Sequence, residues 1–581
     1  MSVNTSLGII GSGPSAIYLL RNLLVRLHQI AAPPRRISIY EKSAIMGMGM
    51  PYSPETTNIH SRSNISSDEL PDLCVPFANW LRAQPAATLE ELGVDTPVDE
   101  GAVYPRLALG RYLQAQYHDL VRKLREAGVE VHEFPSCKVV DIQTVAAGGV
   151  TLVTGAGAKH GFDSVVIATG HHWPQEDKPG AGYYSSPWPI HKLEPGENGP
   201  YNHAIGLLGS SLSAFDVVNT LAHAHGQFSR DEDGLLRYLP ARGTEDFRIV
   251  MHSAEGLLPH LQFAQEEPMR EIYRHVEREE LLGLVDAQGF LRLERYFDKV
   301  CRPVFIRAFG KDGMPEVVEL LASPSFRLRD FVEKMTDDHD YPDPFAGMRG
   351  EMVEARESVA RDQPVHWKEY LDDLIYTLNF HAELMPAEDH IRLSAEVMPF
   401  VMNVIAAMPL ESGETLLALH DAGKLEMMEG RVEIPDEQPH ADSTRILVTG
   451  GRRDVAIDYR MFIDCGGQKP LDIGDYPFPS LVASGAVRQA YVPFADRDAW
   501  EEVVDEKKKD KITVGWEGRP AYRVGGLDID PRYRLVHADG SADHRLHDIS
   551  FPLTTGLRPY SYGLQACDET ARLLVGGWIK R

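Results

Sequence analysis

The sequence has few cysteines, and none of them forms a recognisable pair. Five cysteines occur in 581 residues, and no two are spaced as C-x-x-C or in another metal-binding pattern. A disulfide oxidoreductase needs a cysteine pair beside its cofactor, so the sequence argues against that class. The histidines, such as His171 and His172, lack the companions that a metal site requires, and we expect no bound metal.

Long apolar runs and excess positive charge are also missing. No stretch of about twenty apolar residues and no signal-like N-terminal segment occurs, which predicts a cytoplasmic protein with no membrane partner. Acidic residues outnumber basic ones by 85 to 59, giving a formal net charge of -26. That surface would repel a phosphate backbone, so we expect no nucleic-acid partner. The length predicts two to four domains and leaves a homo-oligomeric assembly open.

A short apolar stretch near the N-terminus runs into a glycine-rich turn. Leu7-Gly8-Ile9-Ile10 predicts a buried parallel strand, and Gly11-Ser12-Gly13-Pro14-Ser15-Ala16 predicts a turn that opens a helix. Gly11 permits the tight turn, Gly13 lets backbone approach a pyrophosphate, and Ala16 lets the helix pack close to the sheet. Free N–H groups at a helix start favour phosphates, so the stretch predicts a dinucleotide site. The alternative is a glycine turn in some other α/β protein.

The next segments fit the same site. A second strand, Ile37-Ser38-Ile39-Tyr40, ends at Glu41, whose carboxylate can accept hydrogen bonds from a ribose. The segment from Lys42 to Tyr52 contains Gly49 and other glycines that would let backbone pass close to a flat ligand. The polar stretch from Asn58 to Asn64, which includes His60 and Arg62, fits either a cofactor-contacting loop or an ordinary surface loop.

A pair of strands that ends in small residues occurs twice. The first copy joins Val150–Thr154 to Phe162–Gly170 and ends in Ala168-Thr169-Gly170, and the second joins Arg445–Thr449 to Tyr459–Gly467. Small residues at a strand end let backbone approach a nucleotide where a side chain would block it.

Between the copies lies a second strand, turn and helix. Ala204–Leu208 runs into Gly209-Ser210-Ser211-Leu212-Ser213-Ala214, so a serine replaces the middle glycine, and a later strand leads to Ser253. Ser211 permits binding but crowds a pyrophosphate; the alternative is a vestigial fold element. Two nucleotide sites in one chain imply a flavin that is reduced by a nicotinamide cofactor.

The remaining segments are a helical region and a C-terminal helix. From about Leu261 to Leu419 the pattern is mostly helical, as in Pro268–Tyr273 and Trp367–Phe380, and we expect this region to cap the active site. Near the C-terminus, Arg558-Pro559-Tyr560-Ser561-Tyr562-Gly563 predicts a helix that starts near Ser561. Its N-terminal amides would face an electron-rich group, unless it is a docking helix with no ligand.

Together these motifs resemble the flavin-dependent N-monooxygenases with two dinucleotide domains and the related FAD-NAD(P)-binding family. The resemblance rests on G-S-G-P-S-A from Gly11, A-T-G at Ala168, G-S-S-L-S-A from Gly209 and R-P-Y-S-Y-G-L-Q from Arg558. Within that family, the size and helical insertion are most similar to bacterial enzymes that oxidise the amine of aspartate and form nitrosuccinate.

The resemblance implies an activity and its cofactors. NADPH, with NADH as the alternative, would reduce FAD, oxygen would form a C4a-hydroperoxyflavin, and a neutral amine would attack its distal oxygen. The resemblance implies these cofactor-binding residues: Gly11, Ser12, Gly13, Pro14, Ser15, Ala16, Glu41, Lys42, Gly49, His60, Gly170, Gly209, Ser210, Ser211, Ser253, Arg558 and Gly563. Ser253 stands where an arginine often holds a 2′-phosphate, which keeps both nicotinamide cofactors open.

The substrate pocket has no signature of its own. Its cationic candidates are Arg62, Arg106, Arg349, Lys469 and Arg558, of which Arg62 and Lys469 are favoured for orienting the substrate. The alternatives to a monooxygenase are a flavin-dependent NAD(P)H reductase or dehydrogenase and a non-catalytic, redox-responsive flavoprotein.

The predicted fold class is α/β, with two Rossmann-like dinucleotide-binding domains and a helical insertion. Residues 1–200 and 476–581 are assigned to the FAD-binding domain, and residues 201–260 and 421–475 to the NAD(P)-binding domain. Residues 261–420 form the insertion.

Overall fold

The computed structural model describes residues 5–579, except 146–147, 174, 197–198, 340, 452, 469, 499, 504–505 and 516–517. Two parallel sheets dominate it. The first sheet is ordered Arg534–Val536, Ala542–Asp548, Ser164–Ile167, Ser6–Ile10, Arg36–Tyr40 and Glu130–Phe134, and only its first pair is antiparallel. Its strands come from both ends of the chain, so the C-terminal segment completes the first domain.

The second sheet has the order of the first over four strands, which correspond to Glu130–Phe134, Arg36–Tyr40, Ser6–Ile10 and Ser164–Ile167. It runs Leu425–Glu429, Arg248–Ser253, Ala204–Leu208, Phe462–Asp464 and Tyr183–Tyr184, with all neighbours parallel. The strand Tyr183–Tyr184 lies before residue 201 in the chain, so this sheet takes in residues from the segment assigned to the first domain. The α/β fold class with two Rossmann-type sheets is confirmed.

Smaller antiparallel units flank these sheets. Two three-stranded sheets consist of Val139–Val145, Gly149–Thr154 and Lys159–Phe162 in one domain, and of Arg431–Glu433, Thr444–Thr449 and Val455–Tyr459 in the other. The first strand of each predicted pair lies in these sheets, but the predicted pairing is wrong, because the second strands join the parallel sheets as Ser164–Ile167 and Phe462–Asp464. A third such sheet contains Gln489–Pro493, Pro520–Leu527 and Ile512–Val514, and Gly226–Arg230 pairs with Leu236–Pro240.

Helices of the two domains cover the sheets. They are Pro14–Arg26, Phe77–Arg82, Ala86–Glu91, Arg106–Glu126, Leu212–His225, Leu410–Asp421, Pro479–Ala483, Trp500–Val503, Phe551–Thr554 and Gly563–Gly576. Short 3₁₀ turns occur at Met50–Tyr52, Pro179–Ala181, Ile190–Leu193, Ala382–Leu384, Ile473–Asp475 and Glu506–Lys511. No helix among the described residues is long and apolar enough to span a bilayer.

The helical insertion connects two neighbouring strands of the second sheet, Arg248–Ser253 and Leu425–Glu429. Its helices are Arg278–Leu282, Leu293–Tyr296, Arg302–Lys311, Pro315–Ala322, Leu328–Asp337, Pro344–Arg361, His366–Asn379, Ala387–Arg392 and Met398–Ile405, with π-helical turns at Phe297–Cys301 and Leu393–Val397. Most of its apolar side chains join the same core as the first domain.

One helix prediction in the insertion is wrong. Pro268–Tyr273 is irregular, and the first helix of the insertion begins at Arg278. Carboxylates of the helix His366–Asn379 hold this stretch instead: Glu369 accepts hydrogen bonds from the backbone N–H groups of Glu266 and Glu267, and Asp372 pairs with Arg270. These partners lie about a hundred residues away, so local periodicity could not reveal them.

Candidate functional site: two matching nucleotide cradles

Two glycines shape the turn at the end of the first strand. Gly11 has φ +103°, and a Cβ atom there would lie 2.2 Å from the carbonyl oxygen of Ala168. Gly13 has φ -72° and precedes the helix Pro14–Arg26; a Cβ atom there would lie 3.1 Å from Cα of Gly49. Backbone therefore approaches backbone at both positions, which larger side chains would prevent.

The helix that follows has an uncompensated positive end. Pro14 occupies its first turn, no side chain caps it, and no acidic residue lies in that turn. Ala16 is fully buried against the sheet, as the motif predicts. Because the first N–H groups of a helix lack intrahelical partners, this end can bind the phosphates of a dinucleotide.

Glu41 lies beside this turn and is held there. Its Oε2 accepts hydrogen bonds from the backbone N–H and the hydroxyl of Ser12, at 3.0 and 2.9 Å, and its Oε1 accepts one from the N–H of Ser43 at 3.0 Å. The hydroxyl of Ser12 also accepts a hydrogen bond from the backbone N–H of Gly47. Each carboxylate oxygen can accept about two hydrogen bonds, so Oε1 keeps a position for a ribose hydroxyl.

The strand end Ala168-Thr169-Gly170 completes the first cradle, which is the site formed by Gly11, Gly13, Glu41 and Gly170. Gly170 has φ +71°, and no atom lies within 4 Å of the position of an added Cβ, so its backbone faces open space. The N–H of Thr169 donates to the hydroxyl of Ser550 at 2.9 Å. Burial lowers the pKa of the neighbouring His171 to about 4; a hydrogen bond with Gln468 opposes that shift, and the charges of Arg106 and Lys42 add to it. Ser550 follows a strand of the first sheet, but sequence reasoning did not single it out.

The second sheet repeats this turn. The N–H of Gly209 donates to the carbonyl of His252 at 2.8 Å, as that of Gly11 donates to Tyr40 at 2.7 Å. Gly209 also has a positive φ, +102°, and its Cβ would lie 3.2 Å from the carbonyl oxygen of Cys465. The matching strand end again carries an open glycine, Gly467.

Serines occupy the other positions of the second turn. Ser211 precedes the helix Leu212–His225 with φ -116°, is exposed, and caps nothing with its hydroxyl. Any residue can adopt this backbone conformation, so the serine side chain reduces the space for a pyrophosphate without straining the backbone. The hydroxyl of Ser210 donates to the carbonyl of Leu257 at 2.9 Å. Ser253 stands where the first domain has Glu41, so this position carries no carboxylate to repel a 2′-phosphate.

The C-terminal helix begins beside the first cradle. It spans Gly563–Gly576, two residues after the predicted start, with no side-chain cap and no acidic residue in its first turn. Ser15 contacts Cys567 at 3.6 Å, and Ile30 pairs with Ile579, so this helix and Pro14–Arg26 start at the same end. Cys567 lies about one turn into the C-terminal helix, so the N-terminal parts of the two helices lie side by side.

Arg558 has contacts other than those expected of a flavin-facing cation. It is 1% exposed, pairs with Glu383 of the insertion, and donates to the carbonyl of Asn379 at 3.4 Å. Its guanidinium also lies over the ring of Tyr533. The charge of Arg558 is therefore paired with the insertion and shielded from solvent.

Two of the predicted polar residues, His60 and Arg106, contact the second domain. The helix Leu212–His225 presents Asp216, Thr220 and His223 on one face. Asp216 pairs with Arg106 at 2.9 Å, and His223 stacks on His60 with ring centroids 3.7 Å apart. Burial raises the pKa of Asp216 to about 6 even though Arg106 opposes that shift.

Arg62 belongs to the same interface. Its guanidinium pairs with Glu411 at 2.6 Å, on the helix Leu410–Asp421 of the second domain. Arg349 pairs with Asp421, and Lys469 lies outside the described residues. Each described cation among the substrate candidates therefore has a carboxylate partner within the chain, a pairing that no local sequence signal predicts.

Thiols and possible metal ligands also occur among the described residues. The five cysteines are unpaired, and burial raises the pKa of Cys567 to about 11, so this thiol beside the cradle stays protonated. His260, His339 and Glu351 lie close enough to hold a metal ion. The ammonium group of Lys368 already lies 2.9 Å from Glu351 and supplies that cluster with a cation.

Comparison with known proteins agrees with these cradles. Residues 8–172 match the family described as FAD-NAD(P)-binding, and residues 279–405 match the family described as the YdhS-like middle domain. The chain is 29% identical over 487 residues to the uncharacterized protein YdhS of Escherichia coli strain K12, and the match covers 82% of this chain and 85% of that protein.

Solved structures with lower similarity include two ornithine hydroxylases. The enzyme PvdA from Pseudomonas aeruginosa is 12% identical with a TM-score of 0.46, and the N-hydroxylase from Kutzneria sp. 744 is 12% identical with a TM-score of 0.43; each match covers 99% of both chains. The cofactor prediction is confirmed by the family match. Residues 8–172, which match that family, contain the first cradle.

Proposed function

We propose that this protein is an FAD-dependent monooxygenase that uses NAD(P)H and oxygen to oxidise the amine of a small amino acid. The repeated turn carries the proposal, because Gly11 and Gly209 make equivalent backbone hydrogen bonds and both have a positive φ, in two sheets that share the order of four strands. A chain with two dinucleotide cradles can hold one nucleotide as electron donor and one as acceptor.

The thiols support oxygen as the final oxidant. Cys567 is the cysteine beside the first cradle, it has no cysteine partner, and its pKa of about 11 keeps it protonated. A dithiol exchange needs a thiolate and a second sulfur. FAD, when bound, supplies the hydride acceptor and the site of oxygen activation, and the chain binds and orients the reactants and excludes water.

For the nicotinamide cofactor, NADPH is favoured over NADH. Ser253 offers a hydroxyl where a carboxylate would repel the 2′-phosphate, and this supports NADPH as a donor. For the substrate, aspartate is the first candidate. The pairing of Arg62, Arg106, Arg349 and Arg558 with carboxylates leaves Lys469 as the candidate cation for its second carboxylate.

One coupled assay tests this function. FAD content is measured first, then anaerobic reduction by NADPH and NADH, and finally the hydroxylated or nitro product and hydrogen peroxide formed per NADPH in air. Aspartate, glutamate, ornithine, lysine and simple amines serve as substrates. Product approaching one oxidation per NADPH with aspartate supports the proposal, product with basic amines alone moves the substrate to that class, and fast reduction without oxygenated product favours the reductase. A flavoprotein that NADPH does not reduce would be non-catalytic.

A further inference from the structure

One helix of the insertion has two different faces. Leu371, Leu374, Ile375 and Leu378 of His366–Asn379 line an apolar cavity together with other side chains of the insertion. Asp372, Tyr376 and Asn379 recur at helical spacing on another side and all bond to the segment 560–565, which leads into the C-terminal helix. The helix therefore joins the insertion's core to the end of the FAD-binding domain.

The bonds from this face are partly buried at Asp372 and Tyr376 and fully buried at Asn379. The hydroxyl of Tyr560 donates to Asp372 at 2.7 Å, and the hydroxyl of Tyr376 donates to the carbonyl of Gln565 at 2.8 Å. Asn379 accepts the N–H of Tyr560 at 2.8 Å and donates to the hydroxyl of Ser561 at 3.1 Å. Asn379 is 1% exposed, so both halves of its amide are paired inside the protein.

The same segment is also tied to the first domain. The side chain of Gln565 donates to the carbonyl of Glu69 at 3.0 Å, and the carboxylate of Glu69 accepts a hydrogen bond from Gln265 of the insertion. Arg270 donates to Gln265 and pairs with Asp372, which closes a ring of contacts. The start of the C-terminal helix is therefore fixed from two sides.

We infer that Asp372, Tyr376 and Asn379 are positioning residues for the flavin, through their hold on the segment 560–565. This rests on the proposed FAD site, because the helix that begins at Gly563 starts at the same end as the helix of the first cradle. A helix N-terminus that faces the flavin stabilises the negative charge of the reduced form, and its effect falls off within one turn. A small displacement of this start would therefore alter both the affinity for FAD and its reduction potential.

Two tyrosines on the same helix provide a matched test. Tyr376→Phe removes the hydroxyl that donates to the carbonyl of Gln565, whereas Tyr370→Phe removes a hydroxyl that accepts a hydrogen bond from the exposed Lys311. We expect Tyr376→Phe to weaken FAD binding about fivefold and to make the reduction potential more negative. Tyr370→Phe should match the wild type in both measurements. Asn379→Ala, which loses two buried bonds, should shift both quantities further than Tyr376→Phe.

The readouts separate positioning from general stability. FAD affinity is measured by the change in flavin fluorescence, the potential by equilibration with a reference dye, and unfolding of the apoprotein by circular dichroism. If Tyr376→Phe lowers apoprotein stability but leaves affinity and potential unchanged, or if both tyrosine variants shift them equally, the inference is wrong. If the wild-type protein binds no FAD, the proposed function itself fails.

Discussion

At the scale of single residues, the first cradle depends on a glycine that faces another glycine. A Cβ at Gly13 would lie 3.1 Å from Cα of Gly49, and the branched side chain of Gly13→Val would also cover the helix start where a pyrophosphate must approach. We expect the purified variant to contain no FAD while it keeps a folded second domain. Absorbance at the flavin band relative to protein measures this. Gly128→Val is the control for expression, because no atom lies near its Cβ position. It does not control for backbone strain, because Gly128 has φ +88°.

A buried carboxyl makes a prediction about pH. Asp548 is fully buried at the end of a strand of the first sheet, and burial raises its pKa to about 7, although hydrogen bonds from Ser550 and Tyr476 oppose that shift. The folded state therefore holds this proton more tightly than the unfolded chain, whose Asp has a pKa of about 3.9. Its contribution to stability is complete below about pH 4 and is lost as the pH rises towards 7.

Asp548→Asn should remove this dependence. We expect the free energy of unfolding of the wild type to fall by a few kcal/mol from about pH 4 to 7 relative to the variant. Asp543 on the same strand is the control. Burial acts to raise its pKa, but hydrogen bonds from Arg545 lower that pKa to about 2. Asp543→Asn should change stability mainly as the pH falls from about 4 towards 2. Urea unfolding across this range checks both, and equal profiles for Asp548→Asn and wild type would contradict the assignment.

Residues differ in how far the sequence could place them. Gly11, Gly13 and Gly170 follow from a local pattern, because a turn between strand and helix restricts the backbone wherever it occurs. Arg558 and Arg62 were open to several roles, since their carboxylate partners, Glu383 and Glu411, come from distant parts of the chain. Charge pairing across domains leaves no periodic signal in the sequence.

At the scale of elements, the second cradle differs from the first at the residue before its helix, where a serine replaces glycine. Ser211 has φ -116°, so glycine is not required for its backbone, and its exposed side chain stands where the first domain has Gly13. We expect Ser211→Gly to bind NADPH several-fold more tightly, because more room is left for the pyrophosphate. FAD content should not change. Isothermal titration of the FAD-loaded protein measures the affinity, and weaker binding by the variant would show that the hydroxyl contacts the nucleotide.

The sequence predicts most strands and long helices, but it does not predict which distant segments each of them contacts. Alternation and helical spacing predict the strands Gly149–Thr154 and Thr444–Thr449 and the helix at 367–380, but not the partners of those strands. The strand Tyr183–Tyr184 is two residues long and exists only because it pairs with Phe462–Asp464. Likewise, the irregular path at Pro268–Tyr273 is set by the carboxylates of another helix.

At the scale of the whole molecule, the two domains meet through charged and polar side chains. Asp216 is 2% exposed and pairs with Arg106 across this interface. Asp216→Asn should leave FAD bound but slow its reduction by NADPH by about tenfold or more, because a small misplacement of the donor domain is costly. Anaerobic stopped-flow reduction measures this rate, and dithionite reduction should be unchanged. Asp421→Asn, which breaks the more exposed pair with Arg349, should leave the NADPH rate near that of the wild type.

The net charge of the molecule supplies a test of the substrate class that needs no variant. A formal charge of -26 repels anions over long distances, and the range of this repulsion falls from about 30 Å at 0.01 M salt to about 8 Å at 0.15 M. Raising the salt concentration should therefore increase kcat/KM for an anionic substrate such as aspartate and decrease it for a cationic amine such as ornithine or lysine. The measurement is initial rate of product formation at saturating NADPH, with glycerol-matched viscosity and a neutral amino acid as the reference. If aspartate is the substrate and its kcat/KM falls with salt, a local cluster of positive charge must control its entry, and residues around Lys469 would be the first to replace.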